Sequence, residues 1–327
     1  MASQDPQIMF VFPGQGSQYV GMGSDLRQDF PVARRLYEQA NDIVGYDLVK
    51  LCLEGPEEEL RLTRHTQPAL LVHSLACLEI FRELTDNRVQ PVLAAGHSLG
   101  EYCALVAAGT LSFETALRLV QKRGEFMGTY GAGEMLAFPL HLDNVQSLAE
   151  KHYCVVAARN LPDQTVVGGL GEDLDQLTAD AHAHFPRKRP TRLKTEGAFH
   201  TFYMITAARH YRPVLDAATM SAPTIRVLSN YTGAYHDSNP AAIKTGLFFQ
   251  LFHPVRWIDN LETAFHAGIT TIVEFGGGLG SGPNPEDKRP NLEGMIKKAL
   301  RGSDFSAHYH PAINSQTLRE TAEALRS

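Results

Sequence analysis

Val92-Leu93-Ala94-Ala95-Gly96-His97-Ser98-Leu99-Gly100 decides how this chain is read. An apolar run enters a five-residue Gly-x-Ser-x-Gly, and a helix-like stretch leaves it from Glu101 to Ala108. Strand, sharp turn and helix in that order hold the serine hydroxyl above the end of the strand. They also aim the next backbone N–H at the same point, and glycines stand where side chains would collide. Ser98 therefore reads as a nucleophile, with a buried helix-capping serine as the plainer alternative.

Working outward, Ile8 to Phe12 is a short apolar strand that ends in Pro13-Gly14-Gln15-Gly16-Ser17-Gln18. Helical patterns cover about Asp25 to Val44, Gln67 to Leu84 and, capped by Ser112, Phe113 to Met127. This alternation predicts an α/β fold with a mainly parallel sheet and active loops at the carboxyl ends of its strands. The rhythm then changes. Strands at Glu134–Pro139, Cys154–Ala158, Gln164–Gly169 and Thr191–Thr195, with helices at Asp143–Lys151 and Asp173–Phe185, follow the order β-α-β-β-α-β. That is the order of a ferredoxin-like unit, inserted between Met127 and His200 with Gly131-Ala132-Gly133 as a hinge. The expected organisation is a large α/β-hydrolase-like subdomain, 1–131 and 198–327, around a small ferredoxin-like subdomain, 132–197. Beyond the insertion come a helix over Phe202–Ala218, a strand at Arg226–Ser229, and a helical stretch leading to Trp257. A helix over Trp257–Ala267 and a strand over Ile269–Phe275 follow. The tail after about Arg301 is polar and weakly patterned, apart from a short helix near Ser315–Leu325.

Composition narrows the function class. The 327 residues allow a sizeable core, and a net charge of −6 lacks the basic surplus of a nucleic-acid protein. No apolar stretch approaches the roughly 18 residues of a membrane span. Met1 to Gln7 is polar, without the regions of a signal peptide. Cys52, Cys77, Cys103 and Cys154 lie far apart in mostly apolar surroundings and read as reduced, buried residues of a cytoplasmic protein, with no metal framework.

A serine needs a base within hydrogen-bond reach. Among 14 histidines, His200 stands out through Gly197-Ala198-Phe199-His200, between the last strand of the insertion and a helix-like stretch. His97 is a poorer candidate, because neighbouring side chains on such a turn point apart. On a 100° helical wheel Ala116, Leu119, Val120 and Met127 share one face, with Arg123 in its middle. A guanidinium aimed inward requires a carboxylate, from the protein as a structural ion pair or from a ligand. Gly14-Gln15-Gly16 offers free N–H groups past a strand end, suited to half of an oxyanion hole or simply to a tight turn. The run Gly276 to Gly282 lacks the spacing of a nucleotide-binding loop.

Taken together, Phe12-Pro13-Gly14-Gln15-Gly16-Ser17-Gln18, Thr66-Gln67-Pro68-Ala69-Leu70, Gly96-His97-Ser98-Leu99-Gly100-Glu101, Gln121-Lys122-Arg123-Gly124, Asn160, Gly197-Ala198-Phe199-His200 and Pro254-Val255-Arg256-Trp257 resemble the malonyl-CoA:acyl-carrier-protein transacylase family, including the acyltransferases of polyketide synthases. The match runs from residue 8 to about 276. It implies Ser98 as the nucleophile, His200 as base and then acid, and a backbone carbonyl near Gln250 orienting the histidine. It also implies the N–H groups of Gln15 and Leu99 as the oxyanion hole. Arg123 would bind a malonyl carboxylate bidentately with Gln67 nearby, and Asn160 would line the junction. Bulky Phe199 before the base resembles the malonyl type, since it narrows the space for an α-methyl group.

The implied cycle is ping-pong: malonyl-CoA acylates Ser98, and the phosphopantetheine thiol of an acyl carrier protein takes the group. No other cofactor, no nucleic acid and no membrane are implied, and the enzyme is expected to be monomeric. An editing acyl hydrolase of similar fold and a non-catalytic carrier-docking module are the alternatives. Arg123 argues against the first, and Ser98 with His200 against the second. One departure stands out: members usually carry Gly-Pro-Gly and an apolar helix after the last strand, where this chain has Gly276–Gly282 and then Pro283 to Pro290. Finally, Arg187-Lys188-Arg189-Pro190-Thr191-Arg192-Leu193-Lys194 is either a solvated charge run or a surface for an acidic carrier protein, with Arg189 and Arg192 as the residues to reverse.

Overall fold

The structure is a computed structural model that describes residues 6–326. Most of Met1–Gln7, read above as free of a signal peptide, lies outside the described residues. In chain order the strands are β1 (Ile8–Phe12), β2 (Leu93–Gly96), β3 (Glu134–Phe138), β4 (Val155–Leu161), β5 (Gln164–Gly169), β6 (Thr191–Leu193), β7 (Arg226–Val227), β8 (Thr271–Phe275) and β9 (His308–Ala312).

Five of them form a parallel sheet in the order β7-β2-β1-β8-β9. Every residue of β1, β2 and β8 is buried, as expected of parallel strands covered on both faces. The chain runs outward from β1 in both directions, so the order switches between β1 and β8. In doubly wound sheets that switch opens a crevice at the carboxyl ends of the strands. The Gly14-Gln15-Gly16 loop follows β1, the Ser98 turn follows β2 and the glycine run follows β8, so all three converge there.

The helix Thr63–Leu84 is buried along most of its length, the mark of a helix packed on all sides. It lies against the helix Phe113–Tyr130, which begins where Ser112 accepts the Thr115 N–H at 3.1 Å. The second sheet has the order β4-β5-β3-β6, antiparallel throughout. It carries the helices Leu142–Lys151 and Gly171–His184 and a hydrophobic cluster of its own around Leu136, Phe138, Val167, Leu174 and Leu177.

The structure departs from the sequence expectations in several places. The helix expected over Asp25–Val44 is two, Ser24–Asp29 and Pro31–Val44, because Phe30 is extended before the proline. The strand at Thr191 ends at Leu193. A helix, Glu293–Arg301, precedes the polar tail, and the tail itself contains a further strand, β9, parallel to β8. No helix among the described residues is long and apolar enough to cross a membrane.

Candidate active site

Ser98 sits at the end of β2 with φ 54°, in the left-handed region. For a residue with a Cβ this conformation costs roughly 1–2 kcal/mol, and the surroundings enforce it. A Cβ on Gly96 would lie 1.9 Å from the Gly100 carbonyl carbon, and one on Gly14 would lie 2.6 Å from the His97 carbonyl oxygen. The turn and the Gly14 loop therefore touch through bare backbone. The His97 N–H donates to the Phe12 carbonyl at 3.0 Å, which ties β1 to the turn.

His200 also has a left-handed backbone, with φ 63°. The Ser98 hydroxyl donates to its Nε2 at 2.7 Å, and its Nδ1 lies 2.7 Å from the Gln250 carbonyl. A carbonyl only accepts, so the proton sits on Nδ1 and leaves Nε2 free as the acceptor. A main-chain oxygen thus fills the orienting position. Burial, reinforced by the Arg123 guanidinium, lowers the His200 pKa to about 3 from its ordinary 6.5.

This shift has a definite sign. A lowered pKa keeps the ring in its neutral, proton-accepting form well into acid. For the Ser98 acylation that the resemblance implies, kcat/KM, which reports the free enzyme, is expected to stay level from about pH 8 down to about pH 5. Quenched-flow acylation across that range checks it, and an inflection between 6 and 7 contradicts it.

Arg123 is fully buried, on the inward face that the wheel gave it. Its Nη1 donates to Gln67 Oε1 at 2.9 Å, and its Nη2 donates to Gln250 Oε1 at 2.9 Å and to Ser98 Oγ at 3.2 Å. The Tyr102 ring lies 5.6 Å from the guanidinium carbon. Among the described residues no carboxylate pairs with it, and its Nε has no partner. The structural ion pair considered above is therefore absent, and a buried cation with neutral partners is left facing Ser98 Oγ.

Gln15, Leu99, Phe199 and Asn160 line the same cleft of about 690 Å³, with Ser98, His200 and Gln67. Asn160 Oδ1 accepts from His97 Nε2 at 2.9 Å, so His97 is directed away from the serine. The Gly276–Pro290 excursion supplies part of the rim: Leu279 lines the cleft, and Asn291 and Met295 follow on the return. Buried Glu274 on β8 fixes that return by accepting the N–H groups of Asn291 and Leu292 at 2.8 and 3.0 Å. Among the described residues no cluster of His, Cys, Asp and Glu has a metal-holding arrangement.

Two points correct or extend the sequence reading. Arg192 is not a free cation of the basic run: it pairs with Glu134 and, at 2.6 Å, with Asp175, bracing β6 against β3 and the helix Gly171–His184 that precedes it. Arg187, Lys188 and Arg189 are exposed and form no ion pair among the described residues. Asn230, which no motif singled out, accepts the Ser98 backbone N–H at 2.6 Å through Oδ1. It lies 132 residues away in sequence, in a segment without periodicity, so nothing local announces it.

The model of the acyl transferase domain family matches residues 9–273. A malonyl CoA-acyl carrier protein transacylase of Bacillus subtilis is 37% identical over 326 residues, covering 96% of this chain and 98% of the relative. Among solved structures, the malonyl CoA-acyl carrier protein transacylase of Coxiella burnetii superposes with a TM-score of 0.86 at 31% identity, over 98% of this chain and 99% of that one. A malonyl-transacylase solved in complex with its type II polyketide-synthase acyl-carrier protein gives the same TM-score and identity, over 97% and 99%.

Proposed function

This chain belongs to the acyl transferase family, and from that we infer that it moves a malonyl group from malonyl-CoA to an acyl carrier protein. The observation that carries the substrate class is Arg123, a fully buried guanidinium that has only neutral partners and lies 3.2 Å from the nucleophile. Burying such a charge is costly unless an anion joins it. An acyl group on Ser98 that ends in a carboxylate brings that anion, and an acetyl group does not.

The proposed steps use the groups that the cleft brings together. Ser98 Oγ attacks the thioester carbonyl while His200 Nε2 takes its proton, and the N–H groups of Gln15 and Leu99 hold the oxyanion. As the tetrahedral centre collapses, the C–S bond breaks and His200 returns the proton to the leaving CoA thiolate. In the second half the phosphopantetheine thiol of the carrier gives its proton to His200 and attacks the seryl ester. Ser98 Oγ leaves and recovers that proton. Arg123 pairs with the malonyl carboxylate in both halves, and Gln67 and Gln250 hold its fork in place.

Phe199 narrows the cleft beside His200, which favours malonyl over methylmalonyl by about 1–3 kcal/mol, the worth of one methyl group. A monomeric working unit is part of this proposal. Four buried, unbridged cysteines support a reducing, cytoplasmic setting. The hydrolase alternative is set aside.

Intact-mass measurement of the protein with malonyl-, methylmalonyl- and acetyl-CoA, followed by addition of holo carrier protein, tests the function. The expected result is one malonyl group on the Ser98 peptide that moves to the carrier thiol. Free malonate accumulating while the carrier stays unloaded overturns it.

An acidic carrier fits the exposed, unpaired stretch Arg187–Arg189. Reversing Arg187 and Arg189 to glutamate is expected to raise the KM for carrier protein about three- to tenfold, a rim-charge effect. Self-acylation by malonyl-CoA should stay unchanged. Steady-state transfer at varied carrier concentration checks this, and an unmoved KM removes the patch.

A further inference from the structure

Beneath the serine turn lies a carboxylate that the transfer steps do not use. Glu101, in the first turn of the helix Gly100–Ala107, is fully buried, and its two oxygens keep different company. Oε1 accepts from His236 Nε2 at 2.6 Å. Oε2 accepts from the Asn230 backbone N–H at 2.9 Å and from Gln250 Nε2 at 3.0 Å.

Both donors on Oε2 reach the reacting groups through further bonds. Asn230 grips the turn from two sides: its Oδ1 accepts the Ser98 N–H at 2.6 Å and its Nδ2 donates to the Gly96 carbonyl at 2.8 Å. Gln250 Nε2 donates to Glu101 and also to the Ser98 carbonyl at 2.9 Å, which leaves Oε1 to face Arg123 Nη2 at 2.9 Å. The Gln250 main-chain carbonyl accepts from His200 Nδ1 at 2.7 Å. Its amide therefore stands between a buried anion and a buried cation, with its N–H end toward the first and its oxygen toward the second. A low local dielectric strengthens every bond of such a chain. The Arg123 charge is met from behind, and its front is left for the substrate.

We infer that Glu101 is a positioning residue for the transfer reaction: through Oε2 it fixes Asn230 and Gln250, and through them the Ser98 backbone, the His200 ring and the Arg123 fork. The inference rests on the function proposed above. The competing explanation is that Glu101 serves only to pair with His236 and brace the fold, and the two oxygens make the explanations separable.

Glu101→Gln removes the charge at nearly constant volume. It is expected to lower the saturating rate of Ser98 acylation about 10- to 100-fold, the scale of a small misplacement of reacting groups, with KM within about threefold. The loss should appear with both malonyl-CoA and acetyl-CoA, because the serine and its base are common to both, and should be the larger with malonyl-CoA, which also uses the Arg123 fork. His236→Gln disturbs Oε1 alone, and should lower the melting temperature while leaving the rate within about threefold. Quenched-flow acylation of the full-length variants, with melting curves, reads these effects. A Glu101→Gln rate within threefold of the parent overturns the inference, and so does a His236→Gln loss as large as that of Glu101→Gln. Where Glu101→Gln does not fold, Asn230→Ala cuts the Ser98 arm while leaving the Glu101–His236 pair, and an unchanged rate there overturns it equally. A parent chain that takes up no malonyl group overturns the functional assignment itself, a result distinct from either.

Discussion

Ser98→Ala is expected to carry no malonyl group at any time point, and His200→Ala is expected to acylate roughly 10³- to 10⁴-fold more slowly than the parent. At 1.36 kcal/mol per tenfold, the histidine effect amounts to about 4–5.5 kcal/mol of barrier. The size follows from how little else can accept the serine proton. His97 is directed to Asn160 at 2.9 Å, and besides His200 the groups bonded to Oγ are the N–H donors of Arg123 Nη2, at 3.2 Å. These stabilise an alkoxide without accepting a proton, so residual acylation should rise with pH as hydroxide substitutes for the missing base. Rapid quench followed by intact mass, from neutral to alkaline pH, measures both features. A loss under tenfold in His200→Ala means that another group is the base.

Arg123→Ala is expected to lower the preference for malonyl-CoA over acetyl-CoA about 10²- to 10³-fold, the 3–4 kcal/mol typical of truncating one member of a buried, hydrogen-bonded charge pair. The fall comes from two directions. The malonyl carboxylate loses its fork and must be buried without a cation, while the acetyl group never used the fork. Arg123→Lys should restore only a small part: an ammonium cannot keep Gln67 and Gln250 at 2.9 Å and also present two parallel donors to a carboxylate. Competition between the two thioesters for one enzyme sample, read as the ratio of adduct masses, gives the preference directly. An unchanged ratio in Arg123→Ala means that the carboxylate is bound elsewhere.

What could be read from sequence, and what could not, divides along a physical line. The elbow, the inward face of Arg123 and the segment before His200 carry their signal within a few residues: glycine spacing, helical period, a strand running into a loop. The antiparallel β-α-β-β-α-β segment showed itself through short-range alternation of the same kind. Asn230 and the role of Glu101 carry no such signal, because each acts through bonds spanning more than a hundred residues. The strand His308–Ala312 escaped for a different reason. It lies at the sheet edge and is only partly buried, so it needs no apolar run, and its proline is tolerated there. The basic run misled at Arg192, since a charge pattern does not show that Glu134 and Asp175 are placed to take up that residue.

The left-handed backbones of Ser98 and His200 bear on how this chain responds to selection. Both positions hold conformations that glycine adopts without penalty, and each non-glycine residue there costs of order 1–3 kcal/mol. A library of variants sorted only for resistance to heat should therefore enrich glycine at 98 and 200, the two positions where that substitution removes the activity. Improving the robustness of this enzyme and preserving its turnover pull in opposite directions at the reacting pair, so any stabilising campaign must score both at once.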